Sequence, residues 1–230
     1  MIHPQTTGKS PLNLDYSNDK NADYYGGVRH DMLKYIPPAA RTCLELGCGA
    51  GRFSELVKAT FGAETWAVEI SEQAAAQAAT RLDKVLHGDA TQAMDRLPDR
   101  YFDCVIAFDI LEHLLGPAAL LDAVKAKLRP GGVVVASIPN VRYYRVLADL
   151  VVHGDWEYKE HGILDNTHLR FFTRKSIVRM FDSLGYRIQQ IEGIHPTSSR
   201  TFRMLNACLL TFLADARYKH FAVVASLPTE

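Results

Sequence analysis

Short apolar runs alternate with amphipathic stretches between residues 42 and 138 of the chain. The apolar runs predict strands, at residues 42–46, 65–70, 84–87, 102–108 and 132–138. The stretches between them repeat apolar residues at helical spacing and predict helices, at residues 51–61, 71–82, 90–96 and 117–128. Strands this apolar need cover on both faces, so the pattern predicts an α/β domain with a parallel sheet between two layers of helices.

The regular alternation ends at Pro139. Residues 139–172 are rich in Tyr, His, Asp and Arg, and they predict an irregular insertion that forms the substrate region. Thr173 is a good N-cap, so a helix is predicted from there to Leu184, ended by Gly185. The remaining pattern predicts strands at 187–193 and 220–227 with a helical segment between them, at residues 200–216.

The chain before the first strand has a different character. Residues 1–22 are polar, contain Pro4, Gly8 and Pro11, and predict a loosely held arm. A short helix is predicted at 28–36, because the two prolines that follow cannot continue it. No shift in composition divides the chain, so we predict a single domain over residues 1–230.

Composition and charge narrow the class of protein. Basic and acidic residues both number 26, so no net field attracts nucleic acid and no such partner is expected. The longest apolar run, 204–213, is interrupted by Asn206 and falls well short of the roughly 20 residues of a membrane-spanning helix. The first residues do not resemble a secretion signal, so we expect a cytoplasmic protein without a membrane span.

The cysteines suggest neither a disulfide framework nor a zinc site. The chain contains four, Cys43, Cys48, Cys104 and Cys208, and none forms a CxxC pair. The first three lie in or beside the apolar runs. Buried free thiols are therefore the favoured interpretation.

The first predicted strand runs into a glycine-rich turn, Leu44-Glu45-Leu46-Gly47-Cys48-Gly49-Ala50-Gly51. Glycine lets the backbone turn sharply and lets a ligand approach without meeting a Cβ atom. The next strand ends in Glu69, at about the 20-residue separation from which a carboxylate accepts hydrogen bonds from ribose hydroxyls. These features predict a site for a nucleotide-like ligand at the carboxyl ends of the two strands.

Residues 44–53 resemble the GxGxG signature loop of class I S-adenosylmethionine (SAM) dependent methyltransferases. The resemblance continues in the order of that family through Phe102-Asp103-Cys104-Val105-Ile106-Ala107-Phe108-Asp109-Ile110-Leu111-Glu112-His113-Leu114 and Leu128-Arg129-Pro130-Gly131-Gly132. It covers roughly residues 40–140. It implies a Rossmann-like seven-stranded sheet, mostly parallel with the last strand antiparallel, helices on both faces, and SAM as cofactor.

The resemblance also implies roles for individual residues. It implies that Glu69 binds the ribose. It also implies that Asp89, in Gly88-Asp89-Ala90, contacts the adenine amine. In similar enzymes an N-terminal segment folds over the cofactor, which would let Arg29 pair with the methionine carboxylate. The implied cofactor contacts are Tyr25, Arg29, Glu45, Gly47, Gly49, Gly51, Glu69, Ile70, Gly88, Asp89, Ala90, Phe108, Asp109 and His113.

Alternative interpretations remain open for these residues. Each glycine alone is compatible with an ordinary turn, Glu69 and Asp89 with helix caps, and Arg29 with a surface position beside packing tyrosines at 24 and 25. A nicotinamide dehydrogenase is disfavoured, because Gly51 follows Gly49 by two residues where a pyrophosphate loop needs three. A SAM-binding module without catalysis is a further alternative.

The acceptor side is predicted from groups able to bind or deprotonate a hydroxyl. His113 follows the fourth strand, and Asp165 and His168 lie in the His161–Thr173 run. A hydroxyl acceptor loses a proton as it attacks, so these three are the candidate catalytic residues, with Asp165 orienting His168. The alternatives are that His113 bonds neighbouring backbone and that Asp165 belongs to a simple turn.

The DxTHLRFFT segment from Asp165 to Thr173 resembles one found in bacterial methyltransferases associated with surface glycans. This resemblance points to a sugar or glycan hydroxyl as acceptor, with Arg170 holding a sugar oxygen or phosphate. The remaining candidate substrate residues are Asn140, Tyr143 and His161. No metal is expected, although a divalent ion held by His161, Asp165 and His168 is the alternative weighed against that expectation.

The leading hypothesis is an O-methyltransferase acting on a sugar, nucleotide sugar or surface-glycan intermediate. The runner-up is a methyltransferase of a quinone-like or other small metabolite, because Leu111-Glu112-His113 also resembles that branch of the family. The sequence leaves open whether the protein is a monomer or a homodimer.

Overall fold

The computed structural model describes residues 28–208 and 211–228. Within them the chain forms one seven-stranded sheet flanked by helices. The strands are β1 Thr42–Leu46, β2 Glu64–Glu69, β3 Lys84–His87, β4 Phe102–Phe108, β5 Leu128–Pro139, β6 Arg187–Pro196 and β7 Tyr218–Ser226. The helices are α1 Arg52–Phe61, α2 Glu72–Ala78, α3 Ala90–Ala93, α4 Pro117–Lys127, α5 Tyr144–Ala148, α6 Arg174–Ser183 and α7 Arg200–Cys208.

The strand order is β3-β2-β1-β4-β5-β7-β6. Neighbouring strands from β3 to β5 pair in parallel, whereas β7 is antiparallel to both β5 and β6. The chain moves outward from β1 to β3 and then crosses back to β4 on the other side of β1. This reversal opens a crevice beyond the carboxyl ends of β1 and β4, where open α/β sheets bind their ligands. The predicted fold class is confirmed.

The central strands are buried on both faces, as their composition predicts. All five residues of β1 are buried. Leu44 and Leu46 pack on one side with side chains from α4 and α6, while Cys43 packs on the other with Phe53 and Val57 of α1. The two hydrophobic layers hold β1 rigidly, and the loop that leaves its carboxyl end starts from a fixed position.

Several element boundaries differ from those predicted. Helix α1 begins at Arg52 because Gly51, its N-cap, has a φ of 78° that a helix cannot contain. Strand β5 begins at Leu128, four positions earlier than predicted, since Leu128 already pairs with Phe102 across a register shift. The predicted helix at 28–36 is a 3-10 helix at His30–Tyr35, and the one at 90–96 is divided into α3 and a 3-10 turn at Met94–Arg96.

The insertion at 139–172 was predicted to be irregular throughout, and this is wrong. It contains α5 and a π-helical turn at Asp149–His153 that continues directly from it. Tyr143, Val146 and Leu164 form a small hydrophobic core of their own, which stabilises these turns. The segment predicted as helical at 200–216 consists of α7 and a separate 3-10 turn at Ala214–Arg217.

The burial of the cysteines agrees in part with the predictions. All four cysteines are free, and Cys43, Cys48 and Cys104 are buried, whereas Cys208 is exposed. Among the residues the structure describes, no helix combines the length and apolar character needed to span a bilayer. The predicted arm at 1–22, together with Tyr24 and Tyr25, lies outside the described residues.

Candidate active site

The glycine-rich turn after β1 adopts the conformation that its glycines permit. Gly47, Gly49 and Gly51 all have positive φ angles, of 72°, 53° and 78°. At Gly51 a side chain is excluded twice, because an added Cβ would also lie 2.9 Å from the Cβ of Ala78 in α2. The turn therefore lets α1 pack against α2. Because its glycines have no side chains, the backbone of the turn is accessible from the crevice.

Glu69, at the end of β2, is held against this turn. Its Oε2 accepts a hydrogen bond from the Gly49 N–H at 2.7 Å, and its Oε1 accepts one from the Ser71 N–H at 2.8 Å. The side chain is buried within the protein but lines the crevice. A carboxylate fixed by two backbone donors at the end of β2 retains lone pairs for two vicinal hydroxyls.

The next predicted contacts lie at the end of β3. Asp89 is the N-cap of α3, and its Oδ1 accepts from the backbone N–H groups of Thr91 at 2.7 Å and Gln92 at 3.3 Å. The helix-capping alternative is thus realised, and the adenine contact stays a prediction. Gly88 donates its N–H to the Glu69 carbonyl at 2.9 Å, which places Asp89 and Ala90 one step along the same edge as Glu69. Ile70 is exposed at this edge.

Glu45 lies inside the crevice with an unusual environment for a carboxyl group. It is buried, lines the cavity, and accepts a hydrogen bond from the Ser54 hydroxyl at 2.6 Å. Burial raises the pKa of the Glu45 carboxyl to about 7, because the charged form loses its hydration. A cation in the cavity would restore the charged form.

Arg29 and Asp109 meet on the opposite side of the crevice. The Arg29 guanidinium donates to Asp109 Oδ2 at 2.5 Å and to the Ser137 hydroxyl at 3.3 Å, and it lies over the Phe108 ring. Asp109 follows β4 and has a backbone φ of 50°, which is a strained conformation for a residue other than glycine. Arg29 lines the cavity, so the predicted pairing with a ligand carboxylate would share this guanidinium with Asp109.

The predicted catalytic residues are brought together from two segments distant in sequence. His113 ends a 3-10 turn at Leu111–His113, and Asp165 and His168 lie in the loop before α6. The two imidazole rings pack edge to face with centroids 4.7 Å apart. His168 Nδ1 lies 2.9 Å from the Ile163 carbonyl, while Asp165 Oδ1 accepts from the Thr167 N–H and hydroxyl at 2.8 and 2.6 Å.

The two segments are also joined through their backbones. The N–H groups of Leu169 and Arg170 both donate to the Glu112 carbonyl, at 2.8 and 3.0 Å. The Arg170 guanidinium donates to the Leu115 carbonyl at 2.6 Å. The loop is thereby bound directly to the 3-10 turn after β4, and the two form one wall of the crevice.

Glu112 is a member of this wall that the sequence analysis did not select. It is almost fully buried, and neither of its carboxylate oxygens has a hydrogen-bond partner among the described residues. Burial raises the pKa of the Glu112 carboxyl well above its usual range, and the Asp109 carboxylate raises it further. Its Oε1 lies 3.9 Å from His168 Nε2. The adjacent His113 was the available signal, since a Glu-His pair directly after a buried strand places both side chains at the crevice.

His220 is the second residue that sequence reasoning missed. It lies on β7, lines the cavity, and has its Nε2 3.6 Å from Asp109 Oδ1. Burial lowers the pKa of His220 to about 4, so the imidazole is neutral at physiological pH. Only the antiparallel return of β7 beside β5 brings it here, and no local pattern indicates that pairing.

Four predicted substrate residues lie away from the cavity wall. Asn140 is fully buried and donates its amide N–H groups to the carbonyls of Asp215 and Tyr218, at 2.9 and 3.0 Å. Tyr143 packs in the small core of the insertion. His161 and Arg170 are exposed, and the set of metal ligands proposed around His161 is not brought together. Tyr25 lies outside the described residues.

The crevice encloses a cavity of about 380 Å³, and most of the residues that line it carry ionisable side chains. Ten predicted site residues line it, among them Gly47 and Gly49 of the glycine turn and Asp165 and His168 of the loop before α6. The lining residues are Arg29, Glu45, Gly47, Cys48, Gly49, Arg52, Phe53, Glu69, Phe108, Asp109, Glu112, His113, Pro139, Gly162, Asp165, His168 and His220. One end thus presents the nucleoside-binding features, and the other presents imidazoles and carboxyl groups.

Comparisons with known proteins agree with this arrangement. A family model described as a methyltransferase domain matches residues 19–191. The chain is 26% identical over 194 residues to a ubiquinone biosynthesis O-methyltransferase of Aeromonas salmonicida, covering 81% of this chain and 74% of that protein. It is 35% identical over 145 residues to a probable SAM-dependent methyltransferase of Mycobacterium tuberculosis, covering 60% of this chain and 53% of that protein.

A solved structure shows the same fold. The SAM-dependent methyltransferase from Archaeoglobus fulgidus aligns with a TM-score of 0.67 and 23% identity, over 88% of this chain and 96% of that chain. The match of the family model spans most of the chain and includes both sides of the cavity. The chain therefore belongs to the methyltransferase-domain family and is a SAM-dependent methyltransferase.

Proposed function

We propose that this methyltransferase transfers the methyl group of SAM to a hydroxyl group of a sugar, nucleotide sugar or surface-glycan intermediate. The observation that carries the proposal is the wall opposite the glycine turn. It is built from Glu112, His113, Asp165 and His168, and His220 approaches from β7. Such a wall suits an acceptor that presents hydroxyl groups, because each polar group needs a partner when water is displaced.

We assign the cofactor to the other end of the cavity. In this proposal Glu69 binds the ribose hydroxyls, and the glycine turn lets the nucleoside lie against the backbone. Asp89 caps α3 and is not among the residues that line the cavity, so its assignment to the adenine amine rests on the resemblance alone. Glu45 lies on the cavity wall near Gly47 and Gly49, where it would pair with the cationic methionine end of SAM. This proposal has the methyl group face the wall that His113 and His168 line.

The chemistry demands mainly alignment. The sulfonium of SAM is already a good leaving group, so positioning the acceptor oxygen in line with the methyl carbon and sulfur supplies most of the acceleration. The acceptor hydroxyl must also lose its proton. The wall holds several groups able to promote that loss, which favours a hydroxyl over an acceptor that needs no deprotonation.

A second candidate is a quinone-like or other small phenolic acceptor. It is favoured by the names of relatives, since those from Aeromonas salmonicida and Psychrobacter arcticus are ubiquinone biosynthesis O-methyltransferases. A large apolar acceptor would need a lining with few charged groups, whereas in this cavity Phe53 and Phe108 lie among many ionisable side chains. We rank the sugar first because ionisable side chains are concentrated in the wall formed by Glu112, His113, Asp165 and His168.

The proposal is tested in two steps. Titration calorimetry with S-adenosylhomocysteine (SAH), with NAD as control, is expected to show micromolar binding of SAH alone. Nucleotide sugars and substituted catechols are then compared as acceptors by measuring SAH release, with Glu69→Ala as the inactive control. Release with sugars supports the proposal. Release only with catechols, methylation only of amines, or SAH binding without any turnover would overturn it.

The raised pKa of Glu45 predicts a pH dependence of cofactor binding. If Glu45 pairs with the ammonium of SAH, the carboxyl must be ionised in the complex, whereas it is largely protonated in the free protein below pH 7. SAH affinity is then expected to weaken about tenfold between pH 8 and pH 6. Calorimetry across this range checks it. Glu45→Gln should bind more weakly but without the slope, and an equal slope in that variant would assign the effect to another group.

A further inference from the structure

We propose that Glu112, His113 and His168 form a binding site for one divalent transition-metal ion, which holds the acceptor hydroxyl. The inference deepens the proposed function and rests on it only for the use made of the ion. One ligand atom from each residue lies within 4.8 Å of the others. Two imidazoles and one carboxylate are a common ligand set for zinc, iron and related divalent ions.

The hydrogen bonds of the two imidazoles set their tautomers. His168 Nδ1 faces the Ile163 carbonyl at 2.9 Å, and His113 Nδ1 faces the Thr167 carbonyl and hydroxyl oxygen at 3.3 and 3.1 Å. A carbonyl only accepts, so both Nδ1 atoms carry the proton. Each Nε2 is then left with the lone pair that a metal requires.

The hydroxyl of Thr167 also indicates that His113 Nδ1 is the hydrogen-bond donor. It donates its proton to Asp165 Oδ1 at 2.6 Å, so its oxygen can only accept from His113. The carboxylate of Asp165, the hydroxyl of Thr167 and the imidazole of His113 thus form a chain that orients the ring. Metal-binding histidines usually donate their second N–H to such a carbonyl or carboxylate partner. In this arrangement Asp165 acts as a positioning residue.

Glu112 provides the independent evidence for a cation. Its two carboxylate oxygens are buried without hydrogen-bond partners among the described residues, although burying an unsatisfied polar group is costly. Glu112 Oε1 lies 3.9 Å from His168 Nε2, too far for a hydrogen bond. Two donors at about 2.1 Å from one metal ion are separated by roughly 3 to 4 Å. The observed spacing is that of two ligands with a small ion between them.

The site lies on the acceptor side of the cavity, which Glu112, His113 and His168 all line. Three protein ligands leave at least one position for an oxygen of the acceptor. Binding to the ion promotes loss of the hydroxyl proton, which passes to solvent. The alkoxide oxygen then forms the bond to the methyl carbon as the carbon–sulfur bond breaks. The bonding pair stays on sulfur, so the products are the methyl ether, SAH and one released proton.

This assignment alters the role expected for the histidines. A metal-bound Nε2 has no lone pair left to accept a proton, so His113 and His168 activate the hydroxyl through the ion instead of acting directly as general bases. The set also differs from the His161, Asp165 and His168 combination that the sequence suggests. His161 is exposed, and it does not line the cavity.

The test measures metal binding itself. Tag-free protein, stripped with a chelator, is dialysed against Zn²⁺ and analysed for bound metal, and Co²⁺ is added in parallel to record its visible spectrum. One equivalent of Zn²⁺ with micromolar affinity or tighter is expected, together with a cobalt spectrum typical of nitrogen and oxygen ligands. Glu112→Gln and His168→Ala should each weaken binding at least tenfold. His153→Ala, which alters an exposed imidazole, should leave it unchanged.

The variants also separate this inference from the proposed function. Glu112→Gln keeps the size of the side chain, and SAH affinity and the circular dichroism spectrum report whether a variant remains folded. SAH binding without stoichiometric Zn²⁺ would overturn the metal site and leave the methyltransferase assignment standing. Zn²⁺ binding that is indifferent to Glu112→Gln and His168→Ala would place the ion elsewhere and would equally overturn the inference.

Discussion

Glu69→Ala is expected to weaken SAH binding by at least about a hundredfold. The carboxylate is fixed by the N–H groups of Gly49 and Ser71 and is the group proposed to accept from both ribose hydroxyls. Hydrogen bonds to a charged group contribute about 1.5–3 kcal/mol each, and every 1.4 kcal/mol changes the affinity tenfold. Titration calorimetry measures the loss directly.

Glu72→Ala provides the matched control for this variant. Glu72 is an exposed carboxylate in the first turn of α2, three residues from Glu69 in sequence. It should bind SAH like the unaltered protein. Thermal denaturation of both variants shows whether the binding loss reflects unfolding. A Glu69→Ala protein that is folded and still binds SAH at near-normal affinity would exclude Glu69 from the ribose site.

Gly51→Ala is expected to lower the free energy of unfolding by roughly 2–5 kcal/mol. A residue with a Cβ at this positive φ costs about 1–2 kcal/mol, and overpacking typically costs a further 1–3 kcal/mol. The overpacking arises because the new methyl group would lie 2.9 Å from the Cβ of Ala78 and 3.2 Å from Leu82 Cδ1. Urea denaturation followed by circular dichroism gives the difference.

Gly62→Ala isolates the backbone contribution. Gly62 ends α1 with a φ of 65°, and an added Cβ there meets nothing within 4 Å. Its substitution should cost only the backbone penalty of about 1–2 kcal/mol. Equal losses in the two variants would show that the contact between the glycine turn and α2 relaxes without cost, contrary to the packing described here.

The first five strands could be predicted because their signal is local. Strands buried on both faces are mostly apolar, so β1 and β4 can be predicted from their own residues without knowledge of the strands they pair with. The cofactor end of the cavity was accessible for a similar reason. Gly47, Gly49 and Glu69 sit at strand ends, where chain order and the parallel sheet determine their neighbours.

The acceptor end was harder to predict because its contacts are long-range. A glutamate is normally an exposed residue, whereas Glu112 is buried where the loop of Leu169 and Arg170 closes on its carbonyl. Asn140 was one of the candidate substrate residues. Its amide is instead bound by carbonyls at 215 and 218, which return next to it through β7.

The backbone attachment of the loop at Leu169 and Arg170 to the turn at Glu112 has a consequence for redesigning acceptor specificity. The insertion up to residue 161 is attached elsewhere, since the Asn140 amide is bound by the carbonyls of Asp215 and Tyr218 next to β7. Residues 162–170 cannot be transplanted alone, because they and residues 111–115 have to be moved together as one interlocked pair.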